Sequence, residues 1–213
     1  MPPRISLPRL YAVLDAQSFL DAGVMFTAAE EWAAAGIKLM QYRNKSYDSR
    51  ILLEQGRELR RRISRAQASA THMRLIINDR ADLCVAAEFD GVHVGQDDLL
   101  PDSARRIVGP DRLLGVSTHN PQQVAEADLT SADYLAIGPV FATSSKANPD
   151  PVIGLEGVQQ ARQLTRKPLV AIGGITRANC RAIIEAGADS VAVISDLIRD
   201  PGKSAEESLR ILG

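Results

Sequence analysis

Short aliphatic runs rich in β-branched residues recur along the chain, each bounded by Gly, Asp or Pro, with longer helix-forming stretches between them. Eight such runs are visible, at 10–15, 37–43, 75–79, 91–95, 113–118, 134–141, 169–173 and 190–195. Near-continuous apolar strands are what a parallel sheet covered on both faces requires, and the intervening stretches are long enough for crossover helices. The pattern predicts an α/β protein, a single (β/α)8 TIM barrel over residues 1–213. A faint internal echo agrees: AAGIKLM, EFDGVHV, SADYLAI and GADSVAV each set a small or acidic helix end directly before a strand. Thr176 is expected to cap a helix with Ala178, Ala182, Ile183 and Ala186 on one face, closed by Gly187. An open doubly wound sheet fits less well, since no GxGxxG follows the first strand.

Composition narrows the partners. Twenty-five Lys and Arg against 26 Asp and Glu give a net charge of −1, so no bulk field draws nucleic acid or an anionic membrane, and any phosphate affinity must be local. The basic run RELRRRISR shares a helix with the inward-facing Leu52, Leu59 and Ile63 and reads as a solvated face. Cys84 and Cys180 are too few for a disulfide framework and suit buried thiols in a reducing compartment. With neither a signal-peptide core at the start nor an apolar run of membrane-spanning length, the expected location is cytoplasmic. The oligomeric state stays open between monomer and homo-oligomer.

A barrel builds its site where strands end. Single charges at Arg74, Asp90, Arg112, Asp133, Lys167 and Asp189 precede strands and read as the wetted bottom rim. Gln41, Arg43, Lys45, Asn78, Asp79, Gln96, Asp97, Asp98, Ser117, His119, Thr143, Ser145 and Lys146 stand at strand ends. Alternation in the second strand puts Leu39, Gln41 and Arg43 on one face and Lys38, Met40 and Tyr42 on the other. If the first set faces inward, leaving Gln41 and Arg43 unpaired costs several kcal/mol; a bound anion answers both, and a neighbouring carboxylate answers Arg43 alone. Asp79 and Asp98 end consecutive strands and offer hard oxygens suited to Mg2+, with Asp97 competing for the second place. Gly173-Gly174-Ile175 after the seventh strand and Ile194-Ser195 at the end of the eighth stand where barrels form a phosphate cup, a tight turn being the plainer alternative for the glycines. The polar stretch 142–155 reads as a lid that brings Lys146 onto bound phosphate, or as a loop with one solvated lysine. His93 lies inside the fourth strand, either against substrate or as a satisfied interior imidazole, and His119 ends the fifth. No nucleophile stands out.

These residues resemble the thiamine-phosphate synthase family from Tyr11 to Leu197. The motifs are Gln41-Tyr42-Arg43-Asn44-Lys45, Asn78-Asp79-Arg80, Gly91-Val92-His93-Val94-Gly95-Gln96-Asp97-Asp98, Gly115-Val116-Ser117-Thr118-His119, Gly138-Pro139-Val140-Phe141 with Thr143 and Lys146, and Ile172-Gly173-Gly174-Ile175. The resemblance implies a (β/α)8 enzyme that joins a hydroxymethylpyrimidine diphosphate to a thiazole phosphate with loss of pyrophosphate. By motif, Gln41 would contact the pyrimidine, and Arg43, Lys45, Asn78, Ser117 and Lys146 the diphosphate. Asp79 and Asp98 would hold Mg2+, and Thr143, Ser145, Gly174, Ile194 and Ser195 would form the thiazole-phosphate pocket. The first loop, 15–19, departs from the family and receives no role. Two rivals remain, a related thiazole tautomerase using a histidine near His119 and a non-catalytic phosphate-binding barrel. The retained Asp79, Asp98, Arg43, Lys45 and Lys146 favour the synthase over both.

Overall fold

A computed structural model describes residues 5–45, 48–66, 72–143 and 150–213. Strands and helices alternate: β1 (Leu10–Asp15), α1 (Ala22–Ala34), β2 (Leu39–Arg43), α2 (Ser49–Ala66), β3 (Arg74–Asn78), α3 (Ala81–Ala86), β4 (Gly91–Val94), α4 (Pro101–Val108), β5 (Leu113–Thr118), α5 (Pro121–Asp128), β6 (Tyr134–Ile137), α6 (Gly154–Leu164), β7 (Leu169–Ile172), α7 (Cys180–Glu185), β8 (Ser190–Val193) and α8 (Pro201–Leu212). Single 3-10 turns follow β1 (Ala16–Ser18) and β8 (Ser195–Leu197). All neighbouring strands are parallel, and β8 pairs with β1 to close the expected barrel.

Side-chain alternation divides the core into two layers. Leu10, Ala12 and Leu14 of β1 and Met40 and Tyr42 of β2 face the helices, together with Trp32, Leu59, Phe89 and Val124 from the helical layer. Tyr11, Val13, Leu39, Ile76, Leu113, Tyr134, Ala136, Val170 and Ala192 fill the barrel interior. The inward face of β2 is thus the one its alternation indicates.

Several strand ends differ from the sequence expectation. β3 stops at Asn78 because Asp79 takes φ +63°, a left-handed conformation that turns the chain out of the sheet. β6 stops at Ile137, four residues early. Gly138 presses against β7 so closely that a Cβ there would lie 2.1 Å from the Ile172 oxygen, and Pro139 has no N–H to continue a ladder. Thr176 does not cap a helix with its side chain. Its carbonyl accepts from Cys180 N at 3.0 Å, while the Asn179 side chain accepts from Thr176 N at 2.8 Å, so a turn precedes α7 and delays the helix to Cys180. Gly187 closes it with φ +113°.

The bottom rim is more ordered than a wetted edge. Asp90, Asp133 and Asp189 each donate their own N–H to a leucine carbonyl on the preceding strand, at 2.8 Å in all three cases. Each carboxylate accepts in return from the same leucine's N–H, Leu75 at 2.7 Å, Leu114 at 2.7 Å and Leu169 at 2.8 Å. A helix arginine completes every set: Arg60 of α2, Arg105 of α4 and Arg162 of α6. Among the described residues, no helix is long and apolar enough to cross a membrane.

The rim sets make a stability prediction. Removing the Asp133 carboxylate leaves Leu114 N–H and the partly buried Arg105 without that partner. Asp133→Ala should lower unfolding free energy by about 2 to 4 kcal/mol, read from urea denaturation. A loss near zero would show that the rim does not hold the strands.

Candidate functional site

The carboxyl ends of the strands open into a cavity of about 480 Å3, lined from every strand by groups that include Gln41, Arg43, Lys45, Asn78, Asp79, His93, Asp98, Ser117, Thr143 and Ile194. Inward alternation brings Gln41 and Arg43 of β2 there. Arg43 donates to Asp15 at 2.6 Å. Asp15 is the register mate of Arg43 at the end of β1, so of the two answers open to this guanidinium the carboxylate is the one on view. Lys45, just beyond β2, reaches across to Asp79 at 2.6 Å.

Asp79 owes its place to the left-handed turn after β3, held by its N–H on the His93 carbonyl at 2.8 Å. Asp98 comes from the turn after β4 and accepts from Gly95 N at 2.7 Å. Its pKa is raised above the ordinary carboxylate value by burial and by the hydrogen-bonded Asp79 carboxyl beside it. Two touching carboxylates need a shared proton or a cation between them. Among the described residues no group of three or more His, Cys, Asp or Glu side chains gathers as a metal cage. The pair therefore suits a hard divalent ion that takes most ligands from water and phosphate. Asp97 also lines the cavity.

Below this charged mouth runs a line of hydrogen bonds across six strands. Gln41 Nε2 donates to Asn78 Oδ1 at 2.8 Å, and Gln41 Oε1 accepts from Tyr11 at 3.1 Å. Tyr11 and Tyr134 hydroxyls are 3.0 Å apart, Tyr134 is 3.1 Å from His93 Nδ1, and His93 Nε2 is 2.8 Å from Ser117 Oγ. Burial lowers the His93 pKa to about 4, so the ring is neutral at pH 7, and burial raises both tyrosines. Gly115 makes room. A Cβ at that position would lie 2.1 Å from Tyr134 Cζ and 2.4 Å from His93 Nδ1.

The cavity thus gathers fourteen of the residues singled out in the sequence, Gln96, Asp97, His119 and Gly173 among them. Gly174 and Ser195 do not line it; Gly173 and Ile194, one residue earlier in each case, do. Gly174 has φ +63° and sits against the Ala142 carbonyl, the tight-turn reading of that position. The first N–H groups before α7 are engaged, Thr176 by Asn179 and Arg177 by Asp196. Ser145 and Lys146, with residues 144–149 of the expected 142–155 lid, lie outside the described residues, and the last two lid positions belong to α6. His93 has both ring nitrogens engaged, and His119 Nδ1 meets the Gly138 carbonyl at 2.7 Å. Sequence reasoning missed Asp15, Tyr11 and Tyr134. For β1 the signal was present, since Tyr11, Val13 and Asp15 alternate on one face; for Tyr134 it was not, since its place beside His93 across Gly115 follows from strand register.

Residues 10–197 match the thiamine monophosphate synthase family. The chain is 54% identical over 215 residues to the thiamine-phosphate synthase of Koribacter versatilis, covering 100% of this chain and 99% of the relative. It is 43% identical over 206 residues to the thiamine-phosphate synthase of Chloroflexus aurantiacus, covering 96% and 92%. Its fold is similar to that of the thiamine phosphate pyrophosphorylase of Pyrococcus furiosus, with a TM-score of 0.82, 30% identity and coverage of 96% and 95%.

The buried His93 ring should leave a mark on stability. Its folded pKa of about 4 lies below the ordinary 6.5, so on acidification the unfolded chain takes up the proton first, and stability falls as pH drops from about 6.5 to 4 with a slope of up to about 1.4 kcal/mol per unit. The raised Asp98 pulls the other way, so the comparison is with His93→Asn, whose unfolding free energy should fall less steeply over that window. Parallel curves for the two proteins would show that His93 is not held neutral.

Proposed function

Because the chain belongs to the thiamine monophosphate synthase family and is accordingly a transferase of thiamine biosynthesis, we propose that its mouth joins an aminopyrimidine-methyl diphosphate to a thiazole phosphate, releasing pyrophosphate. The observation that carries this reading is the convergence of Arg43, Lys45, Asp79 and Asp98 on one cavity.

That combination suits departure of a polyanion from carbon. The ring amino group of the pyrimidine feeds electrons to the methyl carbon as the carbon–oxygen bond breaks, so the step needs no covalent enzyme intermediate. Arg43 and Lys45 bind the diphosphate oxygens, each leaving the carboxylate it now faces, and Asn78 adds its amide. Lys146 joins them from the loop after β6. Asp79 and Asp98 would hold Mg2+, which supplies further charge neutralisation to the leaving diphosphate. Gln41 orients the pyrimidine at the barrel floor. Thr143, Gly173 and Ile194 hold the thiazole phosphate at the ends of β6 to β8, with Ser145 added from the chain after Thr143, so that the thiazole nitrogen attacks at short range while the filled barrel below excludes water.

Purified protein supplied with both phosphorylated precursors and Mg2+ should form thiamine phosphate and pyrophosphate in equal amounts; no product would overturn the reading. Asp79→Ala should lower kcat by about 100-fold or more, and chelation should abolish wild-type turnover. Full activity in chelator would remove the metal from the mechanism. Lys146→Ala should lower kcat with the fold intact by circular dichroism, and an unchanged rate would make that lysine a bystander.

A further inference from the structure

Tyr11 and Tyr134 have no part in the reading above, yet their hydroxyls form the middle of an unbroken line between Asn78 and Ser117, two cavity-lining residues. Proton counting fixes its direction. Asn78 Oδ1 accepts from Gln41 Nε2, which leaves Gln41 Oε1 to accept from Tyr11. A phenol has one proton, so in the 3.0 Å contact Tyr134 donates to Tyr11. Tyr134 then has only a lone pair for His93, and Nδ1 carries the single proton of the neutral ring. Nε2 is left as the acceptor for the Ser117 hydroxyl at 2.8 Å. Ser117 therefore turns its proton toward His93 and its lone pairs toward the cavity. The direction of the whole line follows from its first link, the bond from Gln41 Nε2 to Asn78 Oδ1.

We infer that Tyr134, with Tyr11 behind it, is a positioning residue that presents the Ser117 hydroxyl as a hydrogen-bond acceptor for the ring amino group of the pyrimidine, rather than as a donor to the diphosphate. The inference rests on the synthase reading and deepens it. As the diphosphate departs, the amino nitrogen shares its electrons with the ring and its N–H groups become stronger donors. A hydrogen bond to Ser117, backed by His93, then strengthens in the transition state more than in the ground state. At the other end of the line, Asn78 keeps its N–H groups for the diphosphate. One chain of hydroxyls and amides reads both ends of a single substrate.

Kinetics of Tyr134→Phe, Ser117→Ala and the double variant test this. Each single change should lower kcat about tenfold with KM for the pyrimidine diphosphate within about twofold, and the double variant should fall no more than about twofold below Ser117→Ala. Losses that multiply in an active enzyme overturn the inference alone. Wild-type protein that forms no thiamine phosphate overturns the synthase reading, and the named substrate with it. A second measurement needs no turnover: 15N NMR of histidine-labelled protein, with the His93 signals assigned by their absence in His93→Asn. Wild-type His93 should be the Nδ1–H tautomer, and Tyr11→Phe, which frees the Tyr134 proton for Nδ1, should move the ring proton to Nε2. An Nε2–H ring in the wild type, or a tautomer indifferent to Tyr11→Phe, refutes the directed line.

Discussion

The barrel depends on fixed register between neighbouring strands, because a slip of one residue would turn every inward side chain outward. The reciprocal bonds of Asp90 with Leu75, Asp133 with Leu114, and Asp189 with Leu169 set that register at the lower rim. Each carboxylate satisfies a strand N–H that the ladder leaves over, and a helix arginine neutralises it, so backbone pairing and helix docking are joined at one atom. The same register places Gln41, Arg43, Asn78, His93 and Ser117 on the inward face at the opposite end.

The eight strands were legible in the sequence because parallel strands buried on both faces read as unbroken aliphatic runs. Their ends were less so. Asp79 looks like a strand residue until its left-handed backbone is seen, and the early end of β6 comes from Gly138 lying against the Ile172 carbonyl, a contact between segments more than thirty residues apart. Polar residues at strand ends identified most of the polar cavity lining. What escaped was the interior: a tyrosine within an apolar run reads as core packing, and only the lateral order of the strands shows that Tyr134 and His93 meet over Gly115 and that Tyr11 and Gln41 continue the line. The Arg43 partner escaped for a similar reason, since Asp15 ends a strand whose following loop departs from the family.

The mouth and the floor handle charge differently. At the mouth, Arg43 faces the buried Asp15 and Lys45 faces Asp79, the second pair being the more exposed. On the floor, burial keeps His93 neutral and both tyrosines protonated, so hydrogen bonds alone transmit direction there. A reaction that separates a polyanion from an electron-rich ring needs both settings within one cavity, mobile positive charge above and fixed dipoles below.

The echo in the sequence has a physical counterpart, and its exception is informative. EFDGVHV, SADYLAI and GADSVAV carry the rim acids Asp90, Asp133 and Asp189, whereas AAGIKLM has Gly36 at the corresponding place. Among the described residues the strand pair β1–β2 lacks the lower clamp of the other three quarters, and its ion pair, Asp15 with Arg43, stands at the upper end. Occupancy of the mouth and cohesion of this one quarter draw on the same guanidinium. On the proposed reading, an anion arriving at the seam between the first two strands would trade the attachment of Arg43 within the protein for attachment to itself.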